Sequence, residues 1–220
     1  MSYIGRTPTP SALTASDITD GIVSNAKLAQ DIISADTALG AEPADTDEFL
    51  VSDAGTLKRM DYSYIKASSA VVDLWRLSAT ATGEQNPISS NWERADTDGA
   101  GVIGTGMTES SGVFTFPSTG YWRIDFLCYM YLDGDNRGIA VDMETTTDGS
   151  TFDRAATAAF FIQQTGGSNT YNNGYCTFIM DVTSTSTHKV QFVAGDADVR
   201  VIGATGDNTT TVVFTRLGDT

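Results

Sequence analysis

Residues 121–132 alternate strictly between apolar side chains and a mixed set, and this alternation restricts the possible fold more than any other feature. The even-numbered residues are all apolar: Trp122, Ile124, Phe126, Cys128, Met130 and Leu132. Because successive side chains of a strand point to opposite faces, they define the core side of a long β-strand. The odd-numbered side also becomes apolar, at Leu127, Tyr129 and Tyr131. A strand that is apolar on both faces is expected to be covered on both.

The same alternation, with turn residues about every ten positions, continues along the rest of the chain and favours an antiparallel β-sandwich of the jelly-roll type. Phe161 lies in a second segment that is apolar on both faces, so we expect it, with Leu127, Tyr129 and Tyr131, at an interface between subunits, with a binding surface as the alternative. Further strands are expected at residues 71–79, 112–116, 139–147, 155–163, 171–182, 188–194, 199–202 and 209–217.

The composition changes near Lys66, which predicts an N-terminal region at 1–66 and a larger β domain at 67–220. Residues 1–10 contain Pro8 and Pro10 and should form an extended arm. Residues 24–36 fit a short amphipathic helix, and residues 49–60 fit a β-hairpin that turns at 53–55. Neither a short helix nor a lone hairpin is stable by itself in water, so we expect several copies of this region to wrap together as a stem.

The charge balance argues against nucleic-acid binding. Thirteen Lys and Arg residues stand against 28 Asp and Glu residues, a formal net charge of −15, and such a field repels phosphate backbones and anionic membrane surfaces. We found no apolar run long enough to span a membrane and no profile of a secretory signal, so the expectation is a soluble protein made in a cytoplasm.

The residues of catalytic or metal-binding type do not form a recognisable motif. His188 is the only histidine and fits a structural or surface role. Cys128 and Cys176 fit two buried thiols, although a bridge stays possible if their strands face each other. Residues 133–136 offer oxygen ligands but lack the spacing of a calcium loop. We therefore expect no cofactor, no metal and no enzymatic activity, with polysaccharide cleavage by an aspartate pair as a minor alternative: Asp96/Asp98, Asp133/Asp135 or Asp196/Asp198.

Residues 165–175 combine Tyr, Asn, Ser and Gly, a mixture typical of adaptable recognition surfaces. The candidate receptor contacts are Tyr171, Asn172, Asn173 and Tyr175. A plain hairpin connection without a ligand remains the alternative, because Asn and Gly are also ordinary turn residues.

Residues 112–126 resemble the trimeric heads of complement and tumour-necrosis-factor-like (TNF-like) jelly rolls. The motif is a Gly-x-Phe-x-x-Pro-x-x-Gly-x-Tyr/Trp run leading into a long core strand, and residues 211–217 resemble the closing strand of such heads. The positions that match are Gly112, Phe114, Pro117, Gly120 and Trp122.

Residues 17–28 and 47–59 resemble phrases repeated in the stems of bacteriophage fibre proteins, as does the start at residues 2–5. This resemblance implies a homotrimer in the virion, made in the host cytoplasm, whose N-terminus docks on another virion protein. The head would contact a glycan or protein of the host cell surface. The stem is short for a long tail fibre, so a tail fibre, a head fibre and a decoration protein that stabilises the particle all remain open.

Overall fold

The computed structural model describes residues 14–17, 38–65 and 70–220. The chain divides into two compact units, Met1–Lys66 and Ala67–Thr220. The predicted arm at 1–10 and the predicted helix at 24–36 lie outside the described residues and stay predictions.

The described part of the first unit contains a β-hairpin. A 3-10 turn at Ala15–Asp17 comes first in the chain, and the hairpin consists of β1 (Glu48–Asp53) and β2 (Thr56–Asp61), followed by a 3-10 turn at Tyr62–Tyr64. Ala54 and Gly55 both have positive φ, at 49° and 84°, which is the conformation that a two-residue hairpin turn needs. The predicted hairpin is thus confirmed.

The second unit is built from antiparallel strands. Their bounds are β3 (Val72–Leu77), β4 (Ala79–Thr82), β5 (Trp92–Arg94), β6 (Thr108–Ser110), β7 (Val113–Thr115), β8 (Gly120–Leu132), β9 (Asn136–Thr146), β10 (Asp153–Ile162), β11 (Thr170–Val182), β12 (Lys189–Gly195), β13 (Arg200–Ala204) and β14 (Thr211–Gly218).

These strands form the two sheets of a jelly roll. Sheet I has the order β4-β13-β8-β14-β3-β5, with β11 paired to β8, and sheet II has the order β10-β9-β12-β7-β6. Strand β8 pairs with β11 along one edge and with β13 and β14 along the other. From β8 onward the chain crosses repeatedly between the sheets, with β8, β11, β13 and β14 in sheet I and β9, β10 and β12 in sheet II, as expected for this fold.

The core lies between the sheets. The even-numbered residues of β8 are buried as predicted. The ring of Phe114 on β7 lies 5.3 Å from Trp75, 5.4 Å from Trp92 and 5.2 Å from Phe214, measured between centroids. Since these rings come from both sheets, Phe114 joins the two layers of the sandwich.

The structure differs from the predicted strands at the edges of both sheets. The single strand expected at 71–79 is split into β3 and β4, and strands β5 and β6 were not predicted. Both are three residues long, too short to show an alternating pattern. Arg94 of β5 is held by charge, because it forms an ion pair with the buried Asp73, at 2.8 Å between Nε and Oδ1.

We expect Phe114→Ala to lower the free energy of unfolding by about 3–5 kcal/mol, because it removes the ring that connects the sheets and leaves a cavity. Urea denaturation of the full chain measures this change. Phe161→Ala is the matched control: this ring is 60% exposed, so its removal should change stability by less than about 1 kcal/mol. Equal losses in both variants would contradict the assignment of Phe114.

Candidate functional site

The outward face of β8 and its neighbour β11 carries several apolar and aromatic side chains. The odd-numbered residues of β8 point away from the core and lie opposite odd-numbered residues of β11: Leu127 opposite Tyr175, Tyr129 opposite Asn173, and Tyr131 opposite Tyr171. We call this surface the tyrosine face and define it by these six residues and Ile179. Tyr171, Tyr175 and Ile179 are each about half exposed, at 52%, 49% and 56%.

Three tyrosine rings pack together at one end of this face. The ring of Tyr171 lies between its neighbours, with centroids 5.7 Å from Tyr129 and 5.4 Å from Tyr131. Arg200 of β13 lies beside the group, with its guanidinium carbon 6.0 Å from the centroid of Tyr131. Rings that are fixed by one another present a rigid surface, which lowers the entropy lost when a partner binds.

A small charged network lies at the centre of sheet I beside the tyrosine face. The hydroxyl of Tyr175 donates to Asp125 at 2.5 Å, and Arg123 pairs with the same carboxylate at 2.9 Å. Burial acts to raise the pKa of Asp125, but hydrogen bonds from Tyr175, Thr177 and Arg123 outweigh it, so the net pKa lies below its usual value. The charges are thus compensated within one chain, and the face can contact an apolar partner.

The structure corrects the predicted recognition loop. Strand β11 begins at Thr170, so the four candidate receptor contacts are strand residues. Tyr171, Asn173 and Tyr175 point outward on the tyrosine face. The side chain of Asn172 instead donates to the carbonyl oxygen of Phe161 at 2.8 Å, which connects β11 to β10.

The candidate subunit contacts are also only partly brought together. Leu127, Tyr129 and Tyr131 share the tyrosine face, whereas Phe161 lies on β10 in sheet II. Three of the four receptor candidates and three of the four interface candidates therefore occupy one surface. A residue buried between subunits cannot contact a receptor, so the two predicted roles compete for the same side chains.

The connections between strands converge at one end of the sandwich, which sequence reasoning did not anticipate. Gln164 joins two of them, because its backbone N–H donates to Asp135 and its side-chain amide donates to Asp133, both at 2.6 Å. Asn136 reaches a third, since its amide donates to Asp196 at 2.8 Å. We call the connections 133–135, 163–169 and 196–199 the loop end.

The other candidate chemical groups have structural partners. His188 is buried, with one ring nitrogen 3.2 Å from the hydroxyl of Thr183 and the other 3.2 Å from that of Thr187. Asp96 pairs with the buried Arg76 at 2.8 Å. Within residues 14–17, 38–65 and 70–220, no three His, Cys, Asp or Glu side chains are grouped in a way that could hold a metal ion. The same residues contain no helix of the length and apolar character needed to cross a membrane.

Cys128 and Cys176 are free, buried thiols on adjacent strands. Cys128 lies opposite Gly174 and Cys176 opposite Phe126, so the two cysteines are offset by two residues. Burial raises the pKa of both thiols well above the usual value, to about 11 for Cys176. Neither thiol is therefore a reactive group at neutral pH.

No protein-family model and no curated relative matches this chain. Among solved structures, Eiger TNF from S. frugiperda is similar at 12% identity with a TM-score of 0.53, over 70% of this chain and 96% of that chain. Murine APRIL is similar at 9% identity with a TM-score of 0.47, over 67% of this chain and 99% of that chain. The match to Eiger, with the strand order, shows that the second unit has a TNF-like jelly-roll fold. The expected likeness to TNF-like heads is confirmed for the fold, and the resemblance to phage fibres stays a prediction.

We expect both thiols to remain unmodified when the native protein is treated with an alkylating reagent at pH 8, because the thiolate is the nucleophile and burial disfavours it. The same treatment in concentrated urea should label both cysteines. Intact-mass spectrometry counts the added groups. A native chain that adds none while the unfolded chain also adds none would instead reveal a disulfide.

We expect Tyr175→Phe to raise the pKa of Asp125 toward its ordinary value and to lower the free energy of unfolding at pH 7 by about 1 kcal/mol. Because the folded-state pKa is depressed, the stabilisation exists above the unfolded-state pKa and is lost as the pH falls through the folded-state value. The difference between variant and parent should therefore shrink on acidification.

Carboxyl-carbon NMR gives the pKa of Asp125, and urea unfolding at several pH values gives the stability. Tyr171→Phe serves as the control, since its hydroxyl makes no hydrogen bond to another described residue. An unchanged pKa in Tyr175→Phe would refute the role given to this hydroxyl.

Proposed function

We propose that this chain is a structural virion protein: a homotrimeric phage fibre that docks through its N-terminal region and uses its β head to adhere to the host surface. The observation that carries the proposal is the tyrosine face. It is an apolar, rigid surface on β8 and the neighbouring strand β11, and the core of the sandwich does not use it. The chain is not an enzyme in this proposal, and it acts by holding copies of one head together.

The tyrosine face supports self-association through its composition. Interface cores are rich in tyrosine and poor in charge, and this face is formed by four tyrosines, a leucine, an isoleucine and an asparagine. Every chain carries a net charge of −15, so like chains repel at a distance. Apolar burial at a close contact is the contribution that can overcome this repulsion.

The hairpin of the first unit supports the same conclusion independently. Leu50 and Leu57 lie on one side of it and are 76% and 68% exposed, and Phe49 and Met60 lie opposite each other on the other side. A two-stranded ribbon that is apolar on both sides has no stable form alone in water. Three copies wound together bury the surface that each leaves exposed, which makes this hairpin part of the stem.

We propose a role in the virion and contact with the host surface because residues 17–28 and 47–59 resemble the stems of phage fibres. In such an arrangement the N-terminal region binds another virion protein and the heads point outward. Three identical heads, repeated around a particle, convert weak single contacts into firm attachment.

We expect Tyr129→Asp to convert the trimer to monomers, because the variant buries an unpaired charge at the centre of the contact. Multi-angle light scattering of the full chain gives the mass: about three times 23.4 kDa for the parent and a single chain for the variant. Ala159→Asp is the matched control. It places the same charge on an outward position of β10 in sheet II and should leave the mass unchanged.

A Tyr129→Asp chain that remained trimeric, with its circular dichroism unchanged, would refute the assignment of the tyrosine face. The virion role has its own measurement. Excess purified chain should compete with particles for adsorption to host cells. Particles that lack the chain but adsorb normally and lose only heat resistance would identify a decoration protein instead.

A further inference from the structure

The loop end lies at the opposite end of the sandwich from the point where the chain enters the second unit. Val72 of β3 lies opposite Thr215 of β14, and Gly218 lies opposite Tyr121 at the start of β8. The last residue of β8, Leu132, instead pairs with Thr170 beside the loop end. The loop end therefore lies at the other end of β8 from the start of β3 and the end of β14.

A cavity of about 410 Å³ opens at the loop end and is lined by Phe161, Ile162, Gln163, Asp135 and Arg137. Phe161 is 60% exposed and is the large apolar side chain that this cavity presents to solvent. A concave site of this size that combines an apolar ring with a few polar side chains has the usual composition of a ligand pocket.

The backbone around Phe161 is irregular in a way that affects this ring. Phe160 lies opposite Ile139 and Ile162 lies opposite Asn136, so the register of β10 against β9 shifts between Phe160 and Ile162. Such β-bulges re-aim side chains and occur often beside binding sites. The extra residue belongs to β9, because Arg137 and Gly138 together lie opposite Phe161 alone. The bulge lies beside the cavity that Arg137 and the exposed ring of Phe161 both line.

The polar groups around the ring include both donors and acceptors. One carboxylate oxygen of Asp135 accepts the backbone N–H of Gln164, which fixes the side chain and leaves its second oxygen as an acceptor. Arg137 contributes guanidinium donors, and the amide of Gln163 contributes a donor and an acceptor. Hydroxyl groups, which donate and accept at once, match this mixture better than a purely anionic or purely cationic ligand.

A second cavity of about 530 Å³ adjoins the first, because Asp135 lines both. Its other lining groups include Asn136, Asn169, Asp198 and Arg200, and it is more polar than the first. Two cavities joined through one carboxylate provide room for a chain of several hydroxyl-bearing rings.

We propose that the loop end binds a neutral oligosaccharide, with one sugar ring stacked on Phe161 and its hydroxyls held by Asp135, Arg137 and Gln163. The following sugars occupy the second cavity. Anionic sugars are disfavoured, because three lining carboxylates, those of Asp133, Asp135 and Asp198, oppose two guanidinium groups and the whole chain is strongly acidic.

This inference deepens the proposed function and rests on it for the display of three sites on one particle. It also eases the competition on the tyrosine face, because the first cavity, around Phe161, contains none of the residues of that face. The second cavity borders the face, since Tyr131 is among its lining residues. The binding site itself lies within one chain, so its failure can be separated from a failure to form trimers.

Saturation-transfer NMR on the full chain tests the site with a panel of neutral tetrasaccharides of glucose, galactose and N-acetylglucosamine. Sialylated and uronic-acid oligosaccharides of the same length are included. At least one neutral member should bind, and Phe161→Ala should weaken it by about tenfold or more, with a smaller loss in Asp135→Asn. The matched controls are Tyr64→Ala, an exposed aromatic of the hairpin, and Asp207→Asn, an exposed aspartate outside both cavities, and both should bind like the parent.

Light scattering on the same samples reports assembly. Binding without trimers would leave this inference standing and overturn the proposed function alone. Trimers that bind none of the neutral oligosaccharides, or that bind them equally well in Phe161→Ala, would overturn the inference. Equal binding of neutral and anionic panels would also overturn it. Gln163→Ala tests the polar contacts of the site while the ring of Phe161 stays in place, and it should also weaken binding of the neutral oligosaccharide.

Binding to an oligosaccharide that is attached densely to a surface gives a further test. The same oligosaccharide attached densely to a surface should bind the trimer about 100-fold more tightly than the soluble form, because three sites engage together. Tyr129→Asp should remove this gain while leaving the affinity for the soluble sugar unchanged. A loss of soluble binding in Tyr129→Asp would contradict a site contained in one chain.

Discussion

The pairing of β8 along both edges is the constraint from which the rest of the head follows. Its even-numbered side chains fill the core, and its two neighbouring edges fix where β11 and β14 must lie. With both edges and one face committed, only the odd-numbered face is left for other contacts. The apolar residues on that face are therefore free to serve association, because the fold does not need them for its own core.

The position of β8 and its buried residues could be predicted because strand periodicity is a local property. The strand order could be anticipated only through the resemblance to TNF-like heads. The short strands β5 and β6 could not be predicted, because three residues carry no period and Arg94 is held there by an ion pair to the distant Asp73. A contact between residues so far apart along the chain is not visible in local sequence.

In the candidate site, too, local features could be predicted from the sequence, whereas features that depend on distant contacts could not. Leu127, Tyr129 and Tyr131 were recognised from one strand, but their alignment with Tyr171 and Tyr175 depends on the register between β8 and β11. Register is set by the whole sheet, so the sequence suggested two separate sites where the structure has one surface. The surroundings of Phe161 depend on a bulge in the opposite strand, β9, a feature that leaves no pattern in the residues around it.

The first and last strands of the head lie side by side, with Val72 next to Thr215. A unit whose ends meet can be inserted into, or removed from, another polypeptide without disturbing its interior. Evolution could thus transfer this head between unrelated stems by simple recombination of gene segments. Its binding specificity would then change through the loop end alone, independently of whatever carries it.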